Sequence, residues 1–362
     1  MNIWLLLSRF EMGGLERVQA LLATGLQQEG HELSLVVGRI TPAGRQLLPE
    51  GVAVRVLADA GAWSFPRGLW QALRKDCPDI IFTTASDVAC LVLLLRRLAF
   101  PKMKVVCTDH SSLQDSAGSS LGKRLKRVFV HMLARHLYRL ADACVAVSAG
   151  VAADVDHLVG YPCCRVIYNP VEVGGGSRTL AAARLPWSDD VPRFVWVGRM
   201  EPVKRLELLL EAYSQLAAVR PLRLVLVGGG SQEAGLRESY RDVAGVFFAG
   251  HQPDPHSFIY GSRALVLCSD AEGFGNVLVE AMACGVQVIA ADCPHGPAEI
   301  LDGGNYGALV PRNDVAALVR AMERLLDGHG VIEPQVLMQR AALFSPERAV
   351  NAYANLIVEI CR

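Results

Sequence analysis

Two glutamates, Glu272 and Glu280, bracket the segment Gly273-Phe274-Gly275-Asn276. Carboxylates accept hydrogen bonds from paired hydroxyls, such as a sugar or a ribose presents. Glycine-rich backbone at a helix start offers unpaired N–H groups and the positive end of the helix dipole, which favour an anion. A second segment, Gly198-Arg199-Met200-Glu201-Pro202-Val203-Lys204, supplies cations. A guanidinium forks onto phosphate, and an ammonium acts as a point charge. Each segment alone reads equally well as a turn with solvated charges. In one half of a chain they describe a site for a ligand carrying both phosphate and hydroxyls.

Two further segments lie in the other half. Ser8-Arg9-Phe10-Glu11-Met12-Gly13-Gly14 joins a strand to a helix, and Gly13 and Gly14 allow backbone to approach a ligand there. The spacing is not GxGxxG, which argues against a nicotinamide oxidoreductase. Glu16 serves either an acceptor or the helix dipole. Thr108-Asp109-His110-Ser111-Ser112 follows a strand and presents His110 to a cleft or keeps it as a satisfied loop residue. Asp109 either orients that histidine or caps the next segment. One Asp-x-Asp, Asp154-Val155-Asp156, has the form of a metal motif. It falls on a helical stretch, where residues i and i+2 diverge, so no metal is assigned.

These residues need a scaffold that presents loops after strands. Short apolar runs alternate with helical patterns through the first half: Asn2–Leu7, Glu32–Val37, Val52–Leu57, Asp79–Thr84, Lys104–Thr108, Ala143–Ser148 and Arg165–Tyr168. The second half repeats the plan with Phe194–Val197, Leu222–Val227, Val246–Ala249, Ala264–Cys268, Gln287–Ala291 and Ala308–Val310. Helices are predicted over Leu15–Glu29, Leu206–Val219, Val315–Leu326 and Pro346–Cys361. Continuous apolar strands separated by helices imply parallel sheets covered on both faces. The fold class is therefore α/β, with two Rossmann-like doubly wound parallel-sheet domains facing a cleft. Residues 1–172 form the first domain and 193–345 the second. A linker, 173–192, carries Gly174-Gly175-Gly176. A terminal helix, 346–362, follows and can pack back on the first domain.

Composition sets the remaining bounds. The chain has 362 residues, 51% hydrophobic and 20% charged, which supports two large cores and excludes disorder. The 36 basic and 36 acidic residues cancel, which argues against a nucleic-acid binder. The ten cysteines include no CxxC, and most lie in apolar runs. No disulfide framework and no zinc site is expected, hence a reducing, cytoplasmic setting. The N-terminal residues lack a signal peptide's basic region, and the apolar runs are too short to span a bilayer. Residues 88–142 hold ten basic and three acidic side chains. Within them Leu121, Leu125, Val128, Phe129, Met132, Leu133, Leu137 and Leu140 keep a helical period. Lys123, Arg127, His131, Arg135 and Arg139 recur every four residues beside them. Such a helix either buries its apolar face or lies peripherally on an anionic membrane, here the inner face of the cell membrane, or meets a lipid diphosphate.

In this order, the four segments resemble the retaining glycosyltransferases of family 4, which have the two-Rossmann-domain GT-B fold. The most specific part runs from Glu272 to Ile300, with Ala281-Met282-Ala283-Cys284-Gly285, Val288-Ile289-Ala290 and Gly296-Pro297-Ala298-Glu299-Ile300. The resemblance implies sugar transfer from a nucleotide diphosphate sugar, without a metal or other cofactor. It assigns Arg199 and Lys204 to the donor diphosphate, Glu280 to the ribose hydroxyls and Glu272 to the donor sugar. It assigns the backbone of Gly273, Phe274, Gly275 and Asn276 to the sugar and phosphates. Gly13 and Gly14 close on the diphosphate, and His110 stands near the transferring sugar. The Cys293-Pro294-His295-Gly296-Pro297 turn resembles members that use UDP-N-acetylhexosamines or UDP-hexoses, with GDP-mannose left open. Such members build bacterial surface polysaccharide, lipopolysaccharide and polyprenyl-diphosphate-linked glycans. Lys123, Arg127, Arg135 and Arg139 then face the acceptor or the membrane. The alternatives are a nucleotide-sugar epimerase or hydrolase and a non-catalytic nucleotide-sugar-binding subunit.

Overall fold

The computed structural model describes residues 1–57, 64–110, 121–172, 185–187, 190–252 and 254–362. Most of the linker, together with Ser111 and Ser112, lies outside them, as do the side chains of Leu121, Lys123 and Arg127. The chain divides into two units. The first is Met1–Pro170 with Pro346–Arg362, and the second is Val171–Ser345.

The first unit carries strands β1 (Asn2–Leu7), β2 (Glu32–Val37), β3 (Ala53–Val56), β4 (Ile80–Thr83), β5 (Lys104–Asp109), β6 (Ala143–Ala146) and β7 (Cys164–Val166). Its helices are α1 (Gly14–Gln28), α2 (Ser64–Lys75), α3 (Ser86–Ala99), α4 (Leu121–Leu137) and α5 (Ala149–Val159). The strands form one parallel sheet in the order β3-β2-β1-β4-β5-β6-β7.

The second unit carries β8 (Arg193–Val197), β9 (Arg223–Val227), β10 (Val246–Gly250), β11 (Ala264–Leu267), β12 (Gln287–Ala291) and β13 (Ala308–Val310). Its helices are α6 (Leu206–Ala217), α7 (Glu233–Ser239), α8 (His256–Ile259), α9 (Asn276–Ala283), α10 (Pro297–Ile300), α11 (Val315–Leu326) and α12 (Pro334–Ala341). Its sheet is also parallel, in the order β10-β9-β8-β11-β12-β13.

Residues Ile3 to Leu7 of β1 are at most 1% exposed, as a strand covered on both faces requires. Two caps fix helix starts where the sequence places the right acceptor. Ser148 Oγ accepts from the Val151 amide at the head of α5, and Asp314 Oδ1 accepts from the Ala317 amide at the head of α11. The last helix, α13 (Pro346–Cys361), packs against α1 in the first unit. Tyr353 of α13 meets the Phe82 ring edge-on at 5.6 Å, and Glu359 pairs with Arg165.

In each sheet the strand order reverses next to the first strand, between β1 and β4 and between β8 and β11. Loops leaving the two strands at such a point diverge to opposite faces and open a crevice at their carboxyl ends. Gly198 to Lys204 leaves β8, and the segment containing Glu272 leaves β11. The first unit likewise places Gly13 and Gly14 after β1, and His110 after β5.

Candidate functional site

Because β8 and β11 are neighbours, their loops meet. The Asp270 amide donates to the Val203 carbonyl at 2.8 Å, which ties one loop to the other. Lys204 Nζ then lies 2.6 Å from Glu272 Oε1. Both side chains are mostly buried, 23% and 11% exposed. Ser269 Oγ donates to the same carboxylate oxygen at 2.5 Å. Arg205, in the left-handed region at φ 51°, turns the chain into α6 and reaches Asp270 and Glu207. Arg199 is exposed on the same loop, where its charge helps hold the Glu201 carboxyl below its ordinary range. The larger cause there is the Ser231 hydroxyl, 2.6 Å from Glu201 Oε2.

Gly275 caps α9 at φ 101°, a conformation that costs a side chain energy and lets the loop turn into the helix. Phe274 is 2% exposed, its ring edge-on to Phe344 at 5.4 Å. Its side chain is therefore core, and only its backbone can face a ligand. Gly296 explains how close that backbone is packed. A Cβ there would fall 1.8 Å from the Phe274 carbonyl oxygen, and its φ is 80°. Glu280 sits one turn into α9, half-buried, with His256 Nε2 3.9 Å from its Oε2. That is beyond hydrogen-bond reach. The other ring nitrogen of His256 lies 3.2 Å from Asp254 Oδ1, which also accepts the His256 amide at 3.0 Å. The His256 ring thus stands between Asp254 and Glu280. Sequence reading missed His256; the Asp254-Pro255-His256 turn before a helix was the available signal.

In the first unit the Gly13–Gly14 turn is closed by Glu16, whose Oε1 accepts the Glu11 amide at 3.2 Å. Glu16 is thus a loop-closing residue. His110 lies immediately after β5, its Nδ1 shielded from solvent, with Gln19 Nε2 3.4 Å from its Nε2. Burial pushes its pKa down to about 4 against an opposing contact with Asn169, so the imidazole is neutral at pH 7. Asp109 is 4% exposed and does more than cap a loop. Its Oδ1 accepts from Ser86 Oγ at 3.0 Å, and its two oxygens take the Tyr138 hydroxyl at 3.3 and 3.1 Å. Burial raises its pKa to about 6 even against those hydrogen bonds. A buried acid and a neutral histidine thus occupy adjacent positions.

Helix α4 corrects the sequence reading in one respect. It ends at Leu137, so Arg139 falls in the following 3-10 turn, where its guanidinium lies 5.7 Å from the Tyr161 ring centre. Arg135 is on the helix and exposed. Leu125, Val128, Phe129 and Met132 are 55–63% exposed, so this part of the apolar face is not core. The Asp-x-Asp lies on α5, the helical stretch expected for it. No helix among the described residues is long and apolar enough to cross a membrane.

Sequence comparison matches residues 191–328 to the family described as "Glycosyl transferases group 1" and residues 12–174 to "Glycosyltransferase Family 4". The chain is 32% identical over 204 residues to lipopolysaccharide 1,6-galactosyltransferase of Escherichia coli, covering 53% of this chain and 55% of that protein. It is 29% identical over 228 residues to lipopolysaccharide core biosynthesis glycosyltransferase LpsE of Rhizobium meliloti, covering 61% and 65%. The alignments thus span between about half and two thirds of those relatives. Among solved structures, sucrose-phosphate synthase of Thermosynechococcus elongatus has a TM-score of 0.85 at 21% identity, covering 99% of both chains. Anabaena HepE in complex with UDP has 0.80 at 19%, covering 99% of this chain and all of that one. At these identities the structural likeness speaks to fold, and that fold is GT-B.

Proposed function

Because the chain belongs to the family 4 glycosyltransferases, we propose that it moves a hexose or N-acetylhexosamine from a UDP-sugar to a glycan acceptor, with retention at the anomeric carbon. The glycan is part of a lipopolysaccharide, another surface polysaccharide or a lipid-linked precursor. The two lipopolysaccharide glycosyltransferases among its relatives support the acceptor class. The observation that carries the reading is the convergence of Lys204 and Glu272 at the β8/β11 reversal, beside the glycine-rich start of α9.

In the proposed reaction the bond from the anomeric carbon to the β-phosphate oxygen breaks, and its electron pair stays on the leaving diphosphate. The acceptor hydroxyl loses its proton and its oxygen bonds the anomeric carbon. Charge grows on the β-phosphate, where Arg199, Lys204 and the amides at Gly273 to Asn276 stabilise it. Such preorganised donors do the work a metal does elsewhere, so no metal is assigned to transfer. Glu280 accepts the ribose hydroxyls. Glu272 is held by Lys204 and Ser269 and serves the donor sugar. In the first unit, the neutral His110 is a hydrogen-bonding group rather than a cation.

Thermal-shift screening of UDP- and GDP-sugars tests the donor, since a ligand that binds only the folded chain raises its stability by mass action. UDP-hexoses or UDP-N-acetylhexosamines are expected to stabilise it; a response confined to GDP-sugars overturns that assignment. Lys204→Ala and Glu272→Ala are expected to abolish transfer with the fold retained, and wild-type turnover in either refutes its role. Product released without any acceptor identifies a hydrolase or epimerase instead.

The exposed apolar residues of α4 support a membrane-facing acceptor side, with Arg135 adding positive charge. Intact protein is expected to pellet with anionic liposomes and to stop doing so when Lys123, Arg127, Arg135 and Arg139 are neutralised. Failure of the intact protein to pellet rejects this surface.

A further inference from the structure

Three adjacent strands of the first sheet carry cysteines in register. Cys107 of β5 is paired with Cys144 of β6, and Cys144 with Cys164 of β7. Residues in register on parallel strands project to one face, a strand spacing apart. Cys163, just before β7, adjoins the outer end of this row. Cys107 and Cys144 are buried, and Cys163 and Cys164 are half-buried, so the row runs from the core to the edge of the sheet.

A carboxylate meets its outer end. Asp156 projects from α5, the helix packed on β6 and β7. Its Oδ1 accepts the Cys163 amide at 2.8 Å and the Cys164 amide at 3.0 Å, which pins the two cysteines to the helix. The ligand atoms of Asp156, Cys163 and Cys164 all lie within 4.8 Å of one another. An apolar packing role would be served by valine or alanine. Two thiols and a carboxylate brought together from a helix and a strand, with Cys144 in register beside Cys164, offer instead the donors of a soft, four-coordinate ion.

We propose that Cys144, Cys163, Cys164 and Asp156 form a structural binding site for a soft divalent metal ion of the zinc class. Each thiol loses its proton on binding, and the carboxylate completes a tetrahedron around the ion. The bound ion clamps β6, β7 and α5 together next to β5. Cys107 lies behind the site, two residues before Asp109 and three before His110 on the same chain. The metal stiffens the platform behind His110 and takes no part in sugar transfer. The ligands span Cys144 to Cys164 with no CxxC, so no local motif announces them.

The test titrates chelator-treated, fully reduced protein with Co²⁺. The expected result is about one equivalent bound with thiolate charge-transfer absorption and the strong visible bands of a tetrahedral site. Zn²⁺ displaces the signal, and Zn²⁺ alone raises Tm. Cys163→Ser with Cys164→Ser is expected to abolish the absorption. Cys77→Ser with Cys361→Ser, which removes two exposed thiols, leaves it unchanged. Should the first double variant fail to fold, Asp156→Asn and Cys144→Ala provide the reading. Each is expected to weaken binding by at least the roughly 10- to 100-fold that losing an outer-shell partner costs a metal site. Absence of the charge-transfer band in the reduced wild-type chain, or full-strength absorption in a folded Cys163→Ser/Cys164→Ser or Asp156→Asn variant, overturns the proposal. Loss of sugar transfer plays no part in this readout, so it stands or falls apart from the reaction assigned above.

Discussion

The adjacent pair Asp109 and His110 makes opposite demands on pH, and replacing one should expose the other. Asp109 is raised from an ordinary 3.8 to about 6 by burial. Between those values the folded chain keeps a proton that the unfolded chain has released, so this residue makes folding less favourable as pH rises. His110 is lowered from 6.5 to about 4, also by burial. There the unfolded chain holds the extra proton, so His110 makes folding more favourable as pH rises through nearly the same window. At about 1.4 kcal/mol per tenfold change in proton affinity, each effect is worth about 3 kcal/mol, and the two nearly cancel. Asp109→Asn keeps a side-chain acceptor for Ser86 or Tyr138, so its fixed cost is about 1–2 kcal/mol. Its stability relative to wild type should then climb by about 3 kcal/mol between pH 4 and 6. Urea unfolding at three pH values across that range measures the climb, and taking the difference from wild type removes every other titrating group. A parallel offset, the same at each pH, would refute the burial of an ionisable acid at this position.

His110→Gln should give the mirror image: a variant that loses stability relative to wild type as pH rises from 4 to 6.5, by about 3 kcal/mol, in the same unfolding series. Lys204→Met and Glu272→Gln should each destabilise the fold, and the double variant should fall short of their sum by about 1–3 kcal/mol, because each single change leaves a mostly buried partner unpaired. Additive losses in that cycle would mean that the pair does not interact. Gly296→Ala should cost roughly 2–4 kcal/mol, since the methyl group would strike the Phe274 carbonyl in a backbone conformation that alanine resists. Denaturant midpoints within error of wild type would contradict the close packing of that turn.

Much of the fold was legible because parallel strands covered on both faces must be apolar throughout. Runs such as Asn2–Leu7, Glu32–Val37, Gln287–Ala291 and Ala308–Val310 coincide with β1, β2, β12 and β13. Amphipathic period served equally well for Val315–Leu326 and Pro346–Cys361, which coincide with α11 and α13. The edge strand β7 was read as Arg165–Tyr168 and begins instead at Cys164. Its two exposed residues, Arg165 and Val166, lack the unbroken apolar character of a central strand, so nothing local marked its start. Likewise the apolar face of α4 is periodic whether it meets core or solvent. Only the exposure of Leu125, Val128, Phe129 and Met132 separates those readings.

The site divides along the same physical line. Residue type and spacing bring Arg199, Lys204, Glu272 and Glu280 to notice, but contact between Lys204 and Glu272 depends on β8 lying beside β11, a pairing across 68 residues of sequence. The Asp109 carboxyl carries its unusual proton affinity because the packed elements around it bury it, against the opposing hydrogen bonds from Ser86 and Tyr138. The thiol row exists only because β5, β6 and β7 stack three cysteines in register. In each case the chemistry belongs to a tertiary neighbour rather than to the local string. The consequence separates the two pairs experimentally. Lys204 and Glu272 hold opposite charges with residual access to solvent, so added salt weakens their coupling. Asp109 and His110 are buried groups for which burial opposes the charged form, so proton concentration governs them and salt does little. Added salt should therefore weaken the Lys204–Glu272 coupling while leaving the pH-dependent climb of the Asp109 variant unchanged.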